Sequence, residues 1–196
     1  MDRGQAFTLE SITAGLLLIG GLVFALQATA VTPLSASTSS QHIENQQQAV
    51  AEGVLAAAVD DDALSVTLRY WNDSGATFHD SSDEAYYVDE DLDTRFGALL
   101  QRALTSRSIV ANVYVHYETP AGGSRVQRVV YRGAPSDNAV SASARTVLFD
   151  DDPLLDADAR PTGTTLADAD TFYAPDAHPD SIVFNVVRVE VVAWRQ

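Results

Sequence analysis

Carboxylates are the first residues here that could do chemistry. Asp89-Glu90-Asp91-Leu92-Asp93 and Asp150-Asp151-Asp152 gather oxygens of the kind hard cations prefer. Neither run has the spaced ligands, central Gly and closing Glu of an EF-hand loop. Of the chain's 27 acidic residues 20 are Asp, so clusters of this kind arise from composition alone. His42, His79, His116 and His178 are scattered, without the i, i+4 spacing of a zinc-binding helix. No Ser lies in a nucleophile-elbow pattern. Gly122-Gly123 falls between two strand-like runs, not between a strand and a helix, so it is no phosphate loop. The chain has no Cys, which excludes disulfides, thiolate chemistry and Cys-based metal sites. No catalytic residue, metal or cofactor is therefore expected, and the chain reads as a non-enzyme. Tyr70-Trp71, Tyr86-Tyr87 and Trp194 are candidates for a binding patch, although aromatics in strands more often form cross-strand pairs or core.

The overall charge narrows the partners. The 196 residues carry 27 acidic and 12 basic groups, a net −15, and every basic residue is Arg. A surface of this sign repels phosphate backbones, so no nucleic acid is expected as a partner. Anionic lipid headgroups are disfavoured for the same reason. At 46% hydrophobic residues the chain still has the apolar surface to build a core. Abundant Asp with no Lys is similar to the composition of haloarchaeal proteins. At molar salt the Debye length shrinks to roughly 3 Å and crowded carboxylates repel one another weakly.

One segment dominates the organisation. Ser11 to Val31 runs for 21 residues without a charge, roughly 30 Å of helix and the thickness of a bilayer's hydrocarbon core. Arg3 precedes it and no basic residue follows until Arg69, so the positive-inside rule puts the N-terminus in the cytoplasm and the bulk of the chain outside. Gly21 and Ala25 form a small-xxx-small pair, with Ala14, Gly15 and Gly20 adding low ridges for close helix packing. Glu10 stands at the doorstep of the run, where a carboxylate is costly unless something pairs with it. Two ordinary readings compete: an uncleaved signal anchor, and a secretory signal cleaved after Ala28-Thr29-Ala30.

Arg3-Gly4-Gln5-Ala6-Phe7-Thr8-Leu9-Glu10, set directly before a lone apolar run, resembles the class III signal peptide of archaeal type IV pilin-like proteins. The resemblance covers some eight residues. It implies a leader ending at Arg3-Gly4, removed by a prepilin peptidase, with the apolar segment kept on the mature chain. A cut after Gly4 makes Glu10 the sixth mature residue; a cut after Gln5 makes it the fifth, where that family carries its Glu. It further implies that Glu10 pairs with a neighbour's terminal amine and sets register, and that other pilin-like subunits are the partners.

Beyond the apolar run, Thr32-Pro33 is expected to kink the helix without ending it. Ile43, Val50, Val54 and Ala57 then form a narrow apolar stripe, and Asp60-Asp61-Asp62 stops the helix. Leu64 to Trp71 reads as a strand. Ile109 to Glu118 alternates, Thr119 to Ser124 is a turn and Arg125 to Arg132 its return strand, with further strands at Ala139 to Phe149 and Ser181 to Trp194. Leu92, Phe96, Leu99, Leu100 and Leu104 step as a short helix near 92–105, with Asp91 as candidate N-cap. Asp150 to Pro179 reads as an ordered excursion.

The expected organisation is a leader and mature start at 1–10, a transmembrane helix at 11–31, an amphipathic extension at 32–62 and an extracellular domain at 63–196. The fold class expected is α+β, a long N-terminal helix with a transmembrane first half packed on a C-terminal antiparallel sheet, pilin-like. The expected function is that of a structural subunit, or minor component, of an archaeal pilus-like filament in adhesion. Its expected location is the cell membrane through the single N-terminal helix, with the domain outside, and a surface filament after assembly. The alternative is a signal-anchored extracellular binding module using the aromatic patch or the Asp150–Pro179 excursion; a hydrolase secreted by cleavage after Ala30 comes third.

Overall fold

Alternation dictates the centre of the fold. In Val183–Arg195 every second residue from Val187 to Ala193 is apolar, and a strand with that period buries one face. A computed structural model of the chain describes residues 3–82, 84–88 and 92–195, with side chains described outside 3–9 and 26–40. The chain divides into two units, Met1–Ile43 and Glu44–Gln196.

The second unit is built on a four-stranded antiparallel sheet. Its strands are β3 (Ile109–Glu118), β4 (Ser124–Val130), β5 (Val140–Phe149) and β8 (Val183–Arg195), in the order β4-β3-β8-β5. The hairpin expected around Thr119 to Ser124 is present, with a register shift at Val113/Tyr114. Two short ribbons flank the sheet. Strand β1 (Trp71–Asn72) pairs with β2 (Thr77–Phe78), and β6 (Pro153–Leu155) pairs with β7 (Pro161–Thr165). The Asp150–Pro179 excursion is thus partly a hairpin. It also delivers Phe172 and Tyr173 against Trp71, at ring separations of 6.1 and 5.3 Å.

Helix α1 spans Arg3–Asp60, passing Thr32-Pro33 without an end. The expected transmembrane half is not found: among the described residues no helix is long and apolar enough to cross a membrane. Nor does a long helix lie along the sheet. Of α1 the core takes Ala51, Val54, Leu55 and Ala58, and the short helix α2 (Ala63–Leu68) approaches the sheet at β5. The pilin-like arrangement expected from the sequence is corrected on both counts. The class is α+β, helices with antiparallel sheets.

Two local expectations are also corrected. Leu64 to Trp71 is not a strand but α2 and its exit: Leu64 and Leu68 are one helical turn apart and both buried. The buried stripe of α1 runs through Gln47, Ala51, Val54, Leu55 and Ala58, leaving Ile43 exposed. Asp91 lies outside the described residues. Helix α3 (Arg95–Ala103) is capped by Thr94, whose side chain accepts from the Gly97 N–H at 3.3 Å.

Polar side chains stitch the loops to this frame. Arg69 donates from Nε to the Ser65 carbonyl at 3.3 Å and from Nη1 to that of Pro153 at 3.1 Å. Asn185 accepts from the Glu118 N–H at 3.1 Å and donates to the carbonyls of Glu118 and Pro175, each at 2.9 Å. Asp73 accepts from the N–H groups of Thr171 at 2.7 Å and Asp170 at 3.1 Å, pinning the Phe172–Tyr173 loop. Burial pushes the Asp73 carboxyl up, but the hydrogen bonds from Thr171 and Asp170 outweigh it and hold it below the usual Asp range. The Tyr70 hydroxyl donates to the Ala157 carbonyl at 2.9 Å and to Asp80 at 3.2 Å, and burial, then Asp80, pushes it up to about 12.

Two predictions follow from this packing. At Gly97 a Cβ would stand 1.8 Å from the Leu92 carbonyl oxygen. Helix propensity alone makes Gly97→Ala stabilising by about 1 kcal/mol. The contact reverses the sign, to a loss of about 1–3 kcal/mol, read from the urea midpoint at constant m. At Asp73 the folded carboxyl is depressed, so its stabilisation is full above the unfolded pKa and fades as pH falls through the folded one. Asp73→Asn is expected to lower the melting temperature at pH 7. It is also expected to flatten the decline of the melting temperature as pH falls below the usual Asp range.

Candidate functional site: the exposed apolar surface of the first helix

A helix that is apolar on one stripe packs on a core, whereas one apolar on every side must be surrounded. The first unit presents the second case. Leu16, Leu17, Leu18 and Ile19 occupy four successive positions, about 100° apart around the axis, and Leu22, Val23 and Phe24 repeat the circuit one turn later. Their exposures run from 47% at Val23 to 76% at Leu18 and Phe24. Contiguous exposed apolar surface of this kind marks an interaction site.

The assembly residues expected from the sequence are distributed over the same helix. Glu10 is exposed at its start, and Glu10, Ala14, Leu17 and Gly21 step by i, i+4, i+7 and i+11 along one face. A Cβ built at Gly15, Gly20 or Gly21 meets nothing within 4 Å, so the backbone is open to close approach there. Ala25 is exposed on the following turn. Arg3, Gly4 and Gln5 begin α1, and their side chains lie outside the described residues.

The other sequence candidates do not converge. Asp89, Glu90 and Asp91 lie outside the described residues, and among the described residues no group of three or more His, Asp or Glu is placed to hold a metal ion. His79 bonds through Nε2 to the Leu155 carbonyl at 2.9 Å, His116 pairs with Glu190 at 2.7 Å and His178 with Glu118 at 3.5 Å. Asp152 accepts from the Phe149 N–H at 2.8 Å and lies 4.0 Å from Arg69. The proposed aromatic patch is largely interior: Tyr70, Trp71, Tyr87 and Trp194 are all buried. Tyr86 remains at the surface, hydrogen-bonded to Glu84, which raises its hydroxyl pKa, with Arg128 stacked beside it and 4.3 Å above the Tyr131 ring.

The Asp150–Pro179 excursion, named from the sequence as the alternative site, borders a concavity. A groove of about 570 Å³ runs between the β3–β4 turn and the 166–176 loop, with Arg125, Asp170 and Asp176 about its buried Tyr117 and Phe184. Asp73 and Asn185 pin its walls across 98 and 67 residues of sequence. No local pattern signals contacts of that span.

No curated protein and no solved structure matches the chain. A protein-family model does match, over residues 3–193, a range that takes in both the apolar helix and the sheet unit. The chain therefore belongs to DUF7288, a family of unknown function.

Proposed function

We propose that the chain is a structural subunit, or minor component, of a type IV pilus-like surface filament, assembling through the exposed apolar part of α1 and serving attachment. The observation that carries this reading is the ring of exposed apolar side chains from Ile12 to Phe24. Covering eight such side chains supplies on the order of 10–20 kcal/mol, against an association cost of roughly 4–15 kcal/mol. Equivalent helices of neighbouring copies are the covering surface. Open approaches at Gly15, Gly20 and Gly21 let backbones come close.

The leader resemblance adds the processing step. A prepilin peptidase cutting at Gly4-Gln5 or Gln5-Ala6 exposes a new terminal amine, and Glu10 of a neighbour pairs with it and fixes register. A buried, desolvated ion pair of this kind sets specificity more than stability. The acidic exterior keeps the subunits soluble and disfavours non-specific contact with nucleic acid.

Two experiments test the reading. Intact mass of the protein recovered from the native cell surface is expected to show a start at Gln5 or Ala6. A start at Met1 or at Val31 would count against prepilin-type processing. Glu10→Ala is expected to leave the fold and the processing intact while filaments seen by electron microscopy disappear or lose regular register. Normal filaments from that variant would remove Glu10 from assembly.

A further inference from the structure

The four-stranded sheet has a second face, turned away from the core, and it does not share the strongly acidic character of the molecule. Tyr114, His116 and Glu118 of β3, Arg188 and Glu190 of β8, Ser143, Arg145 and Val147 of β5, and Val126 and Arg128 of β4 all lie on it by register. Three Arg and one His thus stand with two Glu, in a chain where acids outnumber Arg by 27 to 12. Strand pairing sets Arg145 directly opposite Arg188, where like charges are destabilising. Glu190 partly answers Arg188, at 3.5 Å, and is itself bound to His116 at 2.7 Å. Arg145 is exposed and has no carboxylate within ion-pair distance among the described residues. On the same side of β5, Val147 and Phe149 are exposed, and Ile182, whose carbonyl accepts from the Asp150 N–H, is 75% exposed.

We infer that this sheet face docks an acidic surface of a second copy of the chain, with Arg145 and Arg188 jointly holding one of its carboxylates. The argument is charge complementarity. Among the described residues Arg145 lacks an acid of its own, Arg188 shares Glu190 with His116, and an exposed Asp-rich surface is what every other copy presents, as at Asp60 and Asp151. A carboxylate placed between two guanidinium groups converts their repulsion into two charge-assisted pairs. The apolar shoulder of Val147, Phe149 and Ile182 is covered in the same contact. This contact is separate from the α1 contact and brings globular units together.

The test uses the full-length chain, which contains no Cys, so a single Ser143→Cys carries a benzophenone maleimide to the centre of this face. Isotope-labelled and unlabelled chains are mixed, assembled, illuminated and digested, so that inter-chain products are identified by mass. The expected result is inter-chain cross-links to an Asp-rich peptide, such as the one containing Asp60 to Asp62. Their yield should fall at least tenfold with Arg145→Glu and to a lesser extent with Arg145→Gln, with the melting temperature of neither variant lowered, since each relieves the repulsion from Arg188. Absence of inter-chain products, products on peptides without acids, or a yield indifferent to both Arg145 variants overturns the inference. The two contacts are told apart by Leu17→Glu. Cross-links that persist in that variant while filaments vanish support the sheet contact on its own. Filaments that form normally without cross-links sink the sheet contact and leave the helix contact standing.

Discussion

Strand β8 is the constraint on which the globular unit depends. It is hydrogen-bonded on both sides, to β3 from Arg188 to Arg195 and to β5 from Val183 to Ala193. Its inner row, Val187, Val189, Val191 and Ala193, is at most 1% exposed. A strand paired on both edges and buried on one face has a single tolerated register, because a one-residue slip would turn that row to solvent. That register aligns Arg188 with Arg145 and Glu190 with Tyr114 on the outer face. It also places Asn185 where its amide can tie Glu118 to Pro175. The core and the unusual charge of the outer face are therefore two consequences of one pairing.

The two surfaces of interest differ in what they ask of a partner. The apolar collar of α1 is indifferent to charge and demands only coverage, and its driving force scales with the area removed from water. The sheet face demands an acid in a particular place, and so contributes orientation more than affinity. A subunit with one contact of each kind has a strong, weakly directional element and a weaker, directional one. Repeated head-to-tail use of such unlike patches generates an open assembly in place of a closed ring when the rotation does not close.

Much of the sheet was legible in the sequence because its signal is local. The period-2 runs at Ile109 to Glu118 and Ser181 to Trp194 and the Gly-Gly turn between β3 and β4 each declare themselves within a dozen residues. Leu64 to Trp71 did not, since Leu-Ser-Val-Thr-Leu satisfies both a strand's alternation and a helix's i, i+4 spacing. Its burial on β5 decided the matter. The stripe expected through Ile43, Val50, Val54 and Ala57 lay beside the true one, because Gln47 is buried and Ile43 is not. The transmembrane reading rested on an uncharged run of 21 residues. Among the described residues no helix is long and apolar enough to cross a membrane. Asp73 and Asn185 were invisible for another reason: their partners lie far along the chain, where composition and spacing carry no information. The apolar residues of α1 were plain in the sequence, but their exposure on every side required the structure.

The central claim is that the apolar part of α1 is covered by the same part of another copy. The most direct measurement places a single cysteine at Ala14, exposed on the face of the helix that carries Glu10 and Leu17, in the full chain recovered from the cell surface. It then asks whether a short bis-maleimide joins one copy to the next. The account predicts a ladder of cross-linked multimers that collapses to monomer when Leu17→Glu is added. Monomer alone, from a cysteine that a mono-maleimide still labels fully, would contradict it.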